Sequence, residues 1–536
     1  MERKLFYVIA AAGFVLAAVV GTMSSAGWWI LAFAVLWTAV GLYDLYMSKQ
    51  NILINYPVIG HLRYAMEFIS PEIRQYFIES NEDGKPYSRI QRNLVTARAE
   101  GLPDTQPFGT QLEDMAAGFI RADHSLAPKS VDPSHARVMV GGPACTQPYS
   151  ASRINISAMS FGALSSNAIH ALNAGARRGG FAHNTGEGGL SPYHLAGGGD
   201  IVWQIGTGYF GCRTEEGGFA PELFAKNATL PVVKMIEIKL SQGAKPAHGG
   251  VLPAAKVDAE IARIRGVAVG KDVLSPPAHS VFSTPTGLLE FVQQLRDLSG
   301  GKPVGFKLSV GRREEFAGIC KAMIETGILP DFITVDGAEG GTGAAPLEFT
   351  DRLGRPIDEA LSFVHDCLVG IGKRDQIRVI ASGKVITGFD VVEKLALGAD
   401  MCNLARPMLF AIGCIQAVRC NSNTCPSGVA TQDRNRSRAV DIELRQTHVA
   451  QFHKATMEAF LDLVGAMGMT SPEELSRRDI FRRIRGGDVE QTWSNTFPDV
   501  MPGSFLGADI PDAYKAIWAA SAPDRFSSRV PVAAKA

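Results

Sequence analysis

Three cysteines in one short stretch are the strongest chemical signal in this sequence. Cys414, Cys420 and Cys425 lie within twelve positions, and Pro426 follows the last of them. Thiolates this close in sequence can bind one small inorganic cluster, and a proline after the last cysteine is typical of ferredoxin-type runs. A fourth cysteine is missing nearby, so a three-iron cluster would fit this spacing better than a four-iron cluster. A structural zinc with a distant fourth ligand, or three unrelated buried thiols, would fit the same spacing.

Glycine-rich segments at the ends of predicted strands indicate a ligand site. They lie at residues 185–189 and 340–343, and a Ser-Gly-Lys sequence occupies 382–384. In a barrel of parallel strands, the loops after the seventh and eighth strands commonly bind phosphate. Backbone amides and cations in these loops would hold a phosphate dianion. The candidate phosphate-binding residues are Ser382, Gly383, Lys384, Ala405 and Arg406.

Lysines in or just after apolar strands are the third signal. Lys307 stands inside a predicted strand, where an unpaired charge is costly. We expect it to balance the negative charge of a reduced flavin, and a structural ion pair is the alternative. Another strand end carries three polar residues, Lys239, Gln242 and Lys245. The two lysines could pair with the carboxylates of a small diacid, and Gln242 could donate a hydrogen bond to it. Solvated loop lysines are the commoner case, so that alternative stays open.

These residues must be positioned by short apolar strands that alternate with helical segments. Buried parallel strands are continuous apolar runs, so eight such runs predict an α/β fold of the (β/α)8 TIM-barrel type. A doubly wound sheet is the alternative. The predicted strands are residues 154–161, 181–184, 235–240, 273–276, 304–309, 332–336, 378–382 and 401–406.

The N-terminus predicts a two-helix transmembrane hairpin. Residues 5–23 contain no charge, and a second apolar stretch covers 28–43, while a helix needs about 20 residues to cross a bilayer. Arg3 and Lys4 precede the first stretch and Lys49 follows the second, which puts both flanks on the cytoplasmic side. We therefore expect a multi-pass protein of the cytoplasmic membrane whose catalytic domain faces the cytoplasm. A cleaved signal peptide is the alternative.

Composition excludes some functions and sets the domain plan. The 53 Lys and Arg residues balance 53 Asp and Glu residues, so no net field favours nucleic acid. Five of the eight cysteines are scattered, as expected of thiols in a reducing compartment. We expect four parts: a transmembrane hairpin (1–50), a covering segment (51–139), a (β/α)8 barrel with the cysteine loop (140–440), and a helical C-terminal extension (441–536).

Several motifs, taken in order, resemble the synthase domain of glutamate synthase, and the chain is similar to the FMN-binding glutamate synthase family over about residues 140–435. The motifs are ISAMSFGALS at 156–165, NTGEGG at 184–189, IEIKLSQGAKP at 236–246, GGTGAAP at 340–346 and CIQAVRCNSNTCPSGVATQ at 414–432. The resemblance implies FMN in the barrel, a [3Fe-4S] cluster beside it, and 2-oxoglutarate bound over the flavin. Ammonia and 2-oxoglutarate would then give glutamate by reductive amination.

The resemblance also implies a role for particular residues. The three cysteines would ligate the cluster, Glu187 and Lys239 would be catalytic, and Gln242, Lys245 and Arg265 would hold the carboxylates of 2-oxoglutarate. Besides the phosphate candidates, the implied FMN contacts are Ala158, Met159, Ser160, Lys307, Gly341, Thr342 and Gly343.

The departures from the family pattern leave partners open. A glutaminase domain does not fit before the barrel, so the amine would be free ammonia, the product of a separate glutaminase, or another amine. A G-x-G-x-x-G match at 206–211 lacks the following helix that a dinucleotide site needs. The electron donor would therefore be ferredoxin or a separate reductase subunit. Two alternative functions remain: oxidoreduction of another amine or an N-substituted glutamate, and a non-catalytic electron-transfer subunit tied to the membrane.

Overall fold

The computed structural model describes residues 2–485 and 489–526. The chain divides into two compact units, Met1–Ile90 and Gln91–Ala536. The domain limits proposed from the sequence at residues 50, 139 and 440 stay predictions.

The first unit is helical. Its elements are α1 (Glu2–Gly21), α2 (Ala26–Tyr46), α3 (Asn51–Asn55), α4 (Gly60–Ile73) and a π-helical turn at Arg74–Ile78. The mean hydropathy is 2.1 over Arg3–Gly21 and 1.6 over Ala26–Tyr46, so both helices are long and apolar enough to cross a membrane. A signal sequence near the N-terminus has the same length and composition.

Small residues let α1 and α2 pack closely. Gly27, Ala34 and Gly41 recur every seven residues on the buried side of α2. A Cβ atom added at Gly41 would lie 2.0 Å from the Phe6 ring, and one added at Gly13 would lie 3.1 Å from the Ala34 Cβ. Close approach at small residues is a recurrent way for apolar helices to associate.

One carboxylate near the end of α2 is fully satisfied. Asp44 is buried and accepts hydrogen bonds from the Val58 backbone N–H at 2.8 Å and from Nε2 of His61 at 2.9 Å. A buried carboxylate without such donors would be costly. These bonds fix the start of α4 against the end of α2.

The second unit contains a closed barrel of eight parallel strands. In chain order they are β1 (Ile154–Ile156), β2 (His183–Asn184), β3 (Ile201–Ile205), β4 (Val233–Lys239), β5 (Val304–Leu308), β6 (Phe332–Asp336), β7 (Arg378–Ser382) and β8 (Met401–Leu404). Each strand pairs with its chain neighbours, and β8 pairs with β1 to close the ring. This confirms the predicted TIM barrel.

Helices flank and connect the barrel strands, and several of them pack directly on a strand. The principal ones are α5 (Arg89–Glu100), α6 (Ser166–Gly179), α7 (Pro192–Ala196), α8 (Pro221–Ala228), α9 (Ala259–Arg265), α10 (Pro285–Leu298), α11 (Arg313–Thr326), α12 (Leu347–Arg352), α13 (Ile357–Gly370), α14 (Gly388–Ala396), α15 (Arg406–Ala411) and α16 (Arg434–Ser437). Local sequence sets their ends. The Ser165 side chain caps α6, and Thr387 with Asp390 forms a capping box at α14.

One of the eight predicted strands is wrong. Residues 273–276 do not join the barrel: Val273–Leu274 pairs antiparallel with Val251–Leu252 in a small hairpin between β4 and β5. The missing barrel strand is β3, which the sequence analysis overlooked. Residues 273–276 are Val-Leu-Ser-Pro, and a proline argues against a central strand. Residues 201–205 are Ile-Val-Trp-Gln-Ile, which has the higher strand propensity, so the sequence did contain a signal for β3.

The C-terminal region is helical, as predicted, and it also carries two strands. Its helices are α17 (Ile442–Ala466), α18 (Trp493–Thr496) and α19 (Asp512–Ala520). Ile480–Arg485 and Val489–Thr492 form an antiparallel sheet with Ile120–Ala122. The end of the predicted extension, residues 527–536, lies outside the described residues. The long helix α17 packs on α6, where a Cβ atom at Gly175 would come within 2.6 Å of Val449.

Candidate active site

An ion pair stands at the mouth of the barrel. Lys239 is the last residue of β4, and Glu187 lies three residues after the end of β2. Nζ of Lys239 donates to Oε1 of Glu187 at 2.7 Å, and the lysine side chain is 7% exposed. The Asn184 side chain shapes the loop by accepting the Gly186 backbone N–H at 3.0 Å. The two residues predicted to be catalytic are therefore in direct contact.

Two glycines leave room for the Glu187 side chain. A Cβ atom at Gly206 would lie 2.7 Å from the Glu187 Cβ, and one at Gly250 would lie 2.6 Å from Oε1. Any side chain at either position would displace the carboxylate. The glycine density noted in the sequence thus has a steric reason here.

Two further buried cations face the same carboxylate. Lys245 is 2% exposed and Arg265 is 6% exposed. One guanidinium nitrogen of Arg265 donates to the Phe161 carbonyl at 3.1 Å, while the buried Nε has no hydrogen-bond partner in the described part of the chain. Among residues 2–485 and 489–526, no side chain pairs with the Lys245 ammonium.

The pKa shifts reflect this crowding of charge. Burial opposes ionisation of Glu187, but the charges of Lys239, Lys245 and Arg265 hold its pKa below the ordinary value. Burial lowers the pKa of Lys245 to about 8 and that of Arg265 to about 10, although the Glu187 charge partly opposes both shifts. Within the part of the chain that the structure describes, three cations thus face one carboxylate, an excess of two positive charges around Glu187.

Asp336 holds the loop that carries Gln242. It accepts the Gly243 backbone N–H at 2.8 Å, and its Oδ2 lies 3.3 Å from Nζ of Lys307. Gln242 is half-buried, and its carbonyl accepts the Lys245 backbone N–H at 3.3 Å. Lys307 therefore has the ion-pair partner that the sequence analysis left as an alternative. An acidic residue at the end of a buried strand was the available signal for Asp336.

His279 and Tyr209 were missed by sequence reasoning. Nε2 of His279 donates to the Lys239 carbonyl at 2.9 Å, and the Tyr209 hydroxyl donates to Nδ1 of His279 at 3.0 Å. Burial lowers the pKa of His279 to about 4, so the ring is neutral. This pair fixes the backbone of Lys239 from a distant loop, and the sequence carries no local signal of that contact.

A polar layer lies inside the barrel beneath the ion pair. Oε1 of Glu237 accepts the Asn184 amide at 2.8 Å and the Gln204 amide at 2.6 Å, and its Oε2 accepts the Thr334 hydroxyl at 2.6 Å. Glu237 is buried two positions before Lys239 on β4. It links β4 to β2, β3 and β6.

The predicted FMN contacts after β1 pack on the loop after β2. Ala158, Met159 and Ser160 follow β1, and the Met159 backbone N–H donates to the Asn184 carbonyl at 3.2 Å. A Cβ atom at Gly186 would lie 2.9 Å from the Ser160 nitrogen. The two loops form one continuous wall of the barrel mouth.

The predicted phosphate residues lie at the ends of β7 and β8. Ser382 ends β7, and Gly383 and Lys384 follow with φ of 155° and 47°. Ala405 precedes α15, which Arg406 begins. Lys384 is exposed, and its side chain has no hydrogen-bond or ion-pair partner in the described ranges. The structure thus brings the loop ends together but shows no contact between the two cations.

Arg406 joins the 340–343 loop to the cysteine loop. It donates to the Thr342 carbonyl at 2.8 Å, and a Cβ atom at Gly341 would lie 3.2 Å from its Nε. Another of its nitrogens lies 3.7 Å from Sγ of Cys420, and a Cβ atom at Gly343 would lie 3.7 Å from the Cys420 Cβ. The predicted flavin and cluster residues are therefore adjacent.

The residues present fit an FMN. Ser309 directly follows β5, and its buried Oγ has no hydrogen-bond partner in the described residues. Buried polar atoms are normally satisfied, so an orphaned hydroxyl at a barrel mouth suggests a missing ligand. Glycines and cations at the ends of β6, β7 and β8 suit a phosphate group.

The three cysteines share one electrostatic environment. Burial raises the pKa of Cys414 to about 11, and the charges of Cys420 and Cys425 add to that shift while Arg406 opposes it. Sγ of Cys425 lies 3.4 Å from the Ser427 hydroxyl. Within the described ranges, no group of three metal-binding side chains is close enough to hold a single ion. Soft thiol donors beside cations nevertheless suit an anionic iron–sulfur cluster.

The comparisons with known proteins agree with the predicted resemblance. A family model described as the conserved region in glutamate synthase matches residues 121–470. The glutamate synthase large subunit-like protein YerD of Bacillus subtilis is 38% identical over 85% of this chain and 94% of its own length. The archaeal glutamate synthase (NADPH) of Methanocaldococcus jannaschii is 35% identical over 62% of each protein.

Among solved structures, a flavocytochrome b2 variant with pyruvate bound is 15% identical, with a TM-score of 0.41 over 78% of this chain and 85% of that one. The two sequence relatives and the family match carry the assignment. This chain belongs to the glutamate synthase family and contains its conserved region.

Proposed function

We propose that the protein is an oxidoreductase that reductively aminates 2-oxoglutarate to glutamate, using FMN and a [3Fe-4S] cluster. One observation carries the proposal: Lys239, Lys245 and Arg265 face a single carboxylate, Glu187, in a buried mouth. A ligand with two negative charges would neutralise the two excess positive charges. 2-Oxoglutarate is such a dianion, and buried charges without partners are costly.

The site residues would divide the work between binding and proton transfer. Lys245, Arg265 and Gln242 would hold the two carboxylates and so orient the keto group. Lys239 would donate a proton to the keto oxygen, which would leave as water as the carbon–nitrogen double bond forms, and Glu187 would accept a proton from the incoming amine. The 2.7 Å contact between them supports coupled proton movement.

FMN would occupy the loops at the ends of the barrel strands. The residues proposed to hold it are Ala158, Met159, Ser160, Lys307, Gly341, Thr342, Gly343, Ser382, Gly383, Lys384, Ala405 and Arg406. When bound, FMN would supply the hydride for reduction of the carbon–nitrogen bond. The protein's part is to position the substrate and exclude water from the mouth.

The cysteine loop would hold the cluster. Cys414, Cys420 and Cys425 are the proposed ligands, and the contacts of Arg406 with Thr342 and Cys420 support a cluster beside the flavin. Ferredoxin or a separate reductase subunit is the proposed electron donor. The amine would be ammonia, free or from a separate glutaminase.

We also propose that α1 and α2 anchor the protein in the cytoplasmic membrane, with the barrel in the cytoplasm. Trp28, Trp29, Phe33 and Leu36 on α2 are more than 60% exposed. Such large apolar surface is expected where lipid covers a helix. The mean hydropathy of both helices also supports their insertion in a membrane.

The function is tested by reoxidation of the reduced enzyme. Full-length protein is purified anaerobically, its flavin is photoreduced, and 2-oxoglutarate is added with ammonium or with methylamine. We expect flavin reoxidation and an equivalent amount of glutamate with ammonium. Reoxidation with methylamine alone would favour the N-substituted glutamate alternative, and no reoxidation with either amine would favour the non-catalytic alternative.

A further inference from the structure

Lys256 is a buried cation beside the cysteine loop. It is 2% exposed, and its ammonium donates to the Ala163 carbonyl and to the Ala430 carbonyl, both at 2.9 Å. In the described part of the chain, no Asp or Glu side chain pairs with it. A buried charge whose partners are neutral carbonyls is expensive unless an anion lies nearby.

The cysteine loop lies against the segment that carries Lys256. The Asn423 side chain, between Cys420 and Cys425, donates to the Ala255 carbonyl at 2.9 Å. Burial lowers the pKa of Lys256 to about 8, and the nearby Cys420 and Cys425 partly oppose that shift. The anion that this lysine faces would therefore be whatever those two thiols bind.

A cluster held by three thiolates brings negative charge, and each added electron increases it. Reduction potentials of iron–sulfur clusters depend on nearby charge and on solvent exposure. A fixed buried cation stabilises the reduced cluster more than the oxidised cluster, because electrostatic attraction is strong where water is excluded.

We propose that Lys256 is the counter-charge of the cluster and raises its reduction potential. This inference rests on the proposed presence of the cluster. One electron enters the cluster on reduction, and no bond to Lys256 forms or breaks. Lys256 is a positioning residue, because its donors also hold the loop after β1 and the end of the cysteine loop together.

Two substitutions distinguish the effect of the Lys256 charge from the effect of its hydrogen bonds. Lys256→Gln removes the charge and keeps a donor group, whereas Lys256→Arg keeps the charge. Lys302→Gln is the matched control, because the Lys302 ammonium also donates to two carbonyls, those of Ala228 and Leu230, at 2.6 and 2.8 Å. Burial lowers its pKa to about 8 as well, but no cysteine acts on it.

The readout is a potentiometric titration of the full-length proteins, followed by the EPR signal of the oxidised three-iron cluster. We expect Lys256→Gln to change the ratio of oxidised to reduced cluster at a fixed potential about tenfold in favour of the oxidised form, a fall of about 59 mV for one electron. Lys256→Arg and Lys302→Gln should keep the parental potential.

The other outcomes are also decisive. Loss of the signal in Lys256→Gln but not in Lys256→Arg would support the charge role, since the charge would then be needed to hold the thiolate site. An unchanged potential in Lys256→Gln, or loss of the signal in both variants, would overturn it. A parental protein without iron would instead reject the proposed cluster.

Discussion

At the scale of single residues, the mouth of the barrel contains more positive than negative charges. Lys239 pairs with Glu187, and Lys245 and Arg265 bring two more cations to the same carboxylate. Lys245 is buried without a partner among the described side chains. The free energy of its charged ammonium group therefore depends strongly on whether an anion is bound. Substrate carboxylates would supply that anion.

Removing the Lys245 charge should weaken 2-oxoglutarate binding. A hydrogen bond to a charged group contributes about 1.5–3 kcal/mol, so Lys245→Met should raise the dissociation constant about 10- to 150-fold. The measurement is a flavin difference titration of the oxidised enzyme. Lys302→Met is the control for loss of a buried lysine elsewhere, and equal affinities in both variants would contradict the role of Lys245.

The affinity for 2-oxoglutarate should also fall at high pH. The pKa of free Lys245 is lowered from 10.5 to about 8, so its charge is present below that pH and is lost as the pH rises through it. Dissociation constants measured from about pH 6 to about pH 10 should therefore increase above about pH 8. Lys245→Arg should bind over a wider pH range, and an identical profile in this variant would contradict the assignment.

The proximity of side chains could be predicted where a motif keeps its residues together along the chain. Lys239 and Lys245 lie on one strand end and its turn, so their proximity could be expected from the sequence. Arg265 was proposed only from the family resemblance, and its role stays a prediction. His279 and Lys256 were missed, because their partners lie 40 or more positions away and no local pattern predicts such contacts.

At the scale of elements, strand ends carry the site. Glu187 follows β2, Lys239 ends β4, Asp336 ends β6 and Ser382 ends β7. Parallel strands in a barrel all end at one face, so the predicted barrel was enough to expect these residues to meet. The strand β3 was overlooked although residues 201–205, Ile-Val-Trp-Gln-Ile, have higher strand propensity than residues 273–276, which end in a proline.

The Glu237 layer should contribute to stability of the barrel. Glu237→Leu would leave the donors of Asn184, Gln204 and Thr334 without an acceptor, at about 1–3 kcal/mol for each buried group. We expect a lower melting temperature of the full-length protein, measured as thermal unfolding by tryptophan fluorescence. Glu237→Gln keeps one acceptor oxygen, so its melting temperature should fall less than that of Glu237→Leu. A larger fall in Glu237→Gln than in Glu237→Leu would contradict a stabilising role of this hydrogen-bond network.

At the scale of the whole molecule, the net charge of the chain differs from the summed charge of the residues at the barrel mouth. The chain has a formal net charge of zero, while the buried mouth has two excess positive charges. Selection of the proposed dianion would therefore rest on local placement, and long-range steering by the whole surface would be a weaker effect. The apolar helices α1 and α2 belong to a separate compact unit.

The proposed anchor predicts retention in the membrane. Full-length protein with an N-terminal tag should stay in the membrane pellet after an alkaline carbonate wash, because two buried spans are held by the hydrophobic effect. Deletion of residues 2–50 should release it, which serves as the control. Recovery of soluble protein that has lost its tag would instead support a cleaved signal sequence.

The charge of the mouth is tested most directly by comparing two oxo acids of the same chain length. 2-Oxopentanoate lacks the second carboxylate of 2-oxoglutarate and is otherwise similar in shape. In flavin difference titrations of the oxidised enzyme, 2-oxoglutarate should bind about 10- to 150-fold more tightly, as expected for one lost charged hydrogen bond. Equal dissociation constants for the two acids would contradict a pocket built for a dicarboxylate.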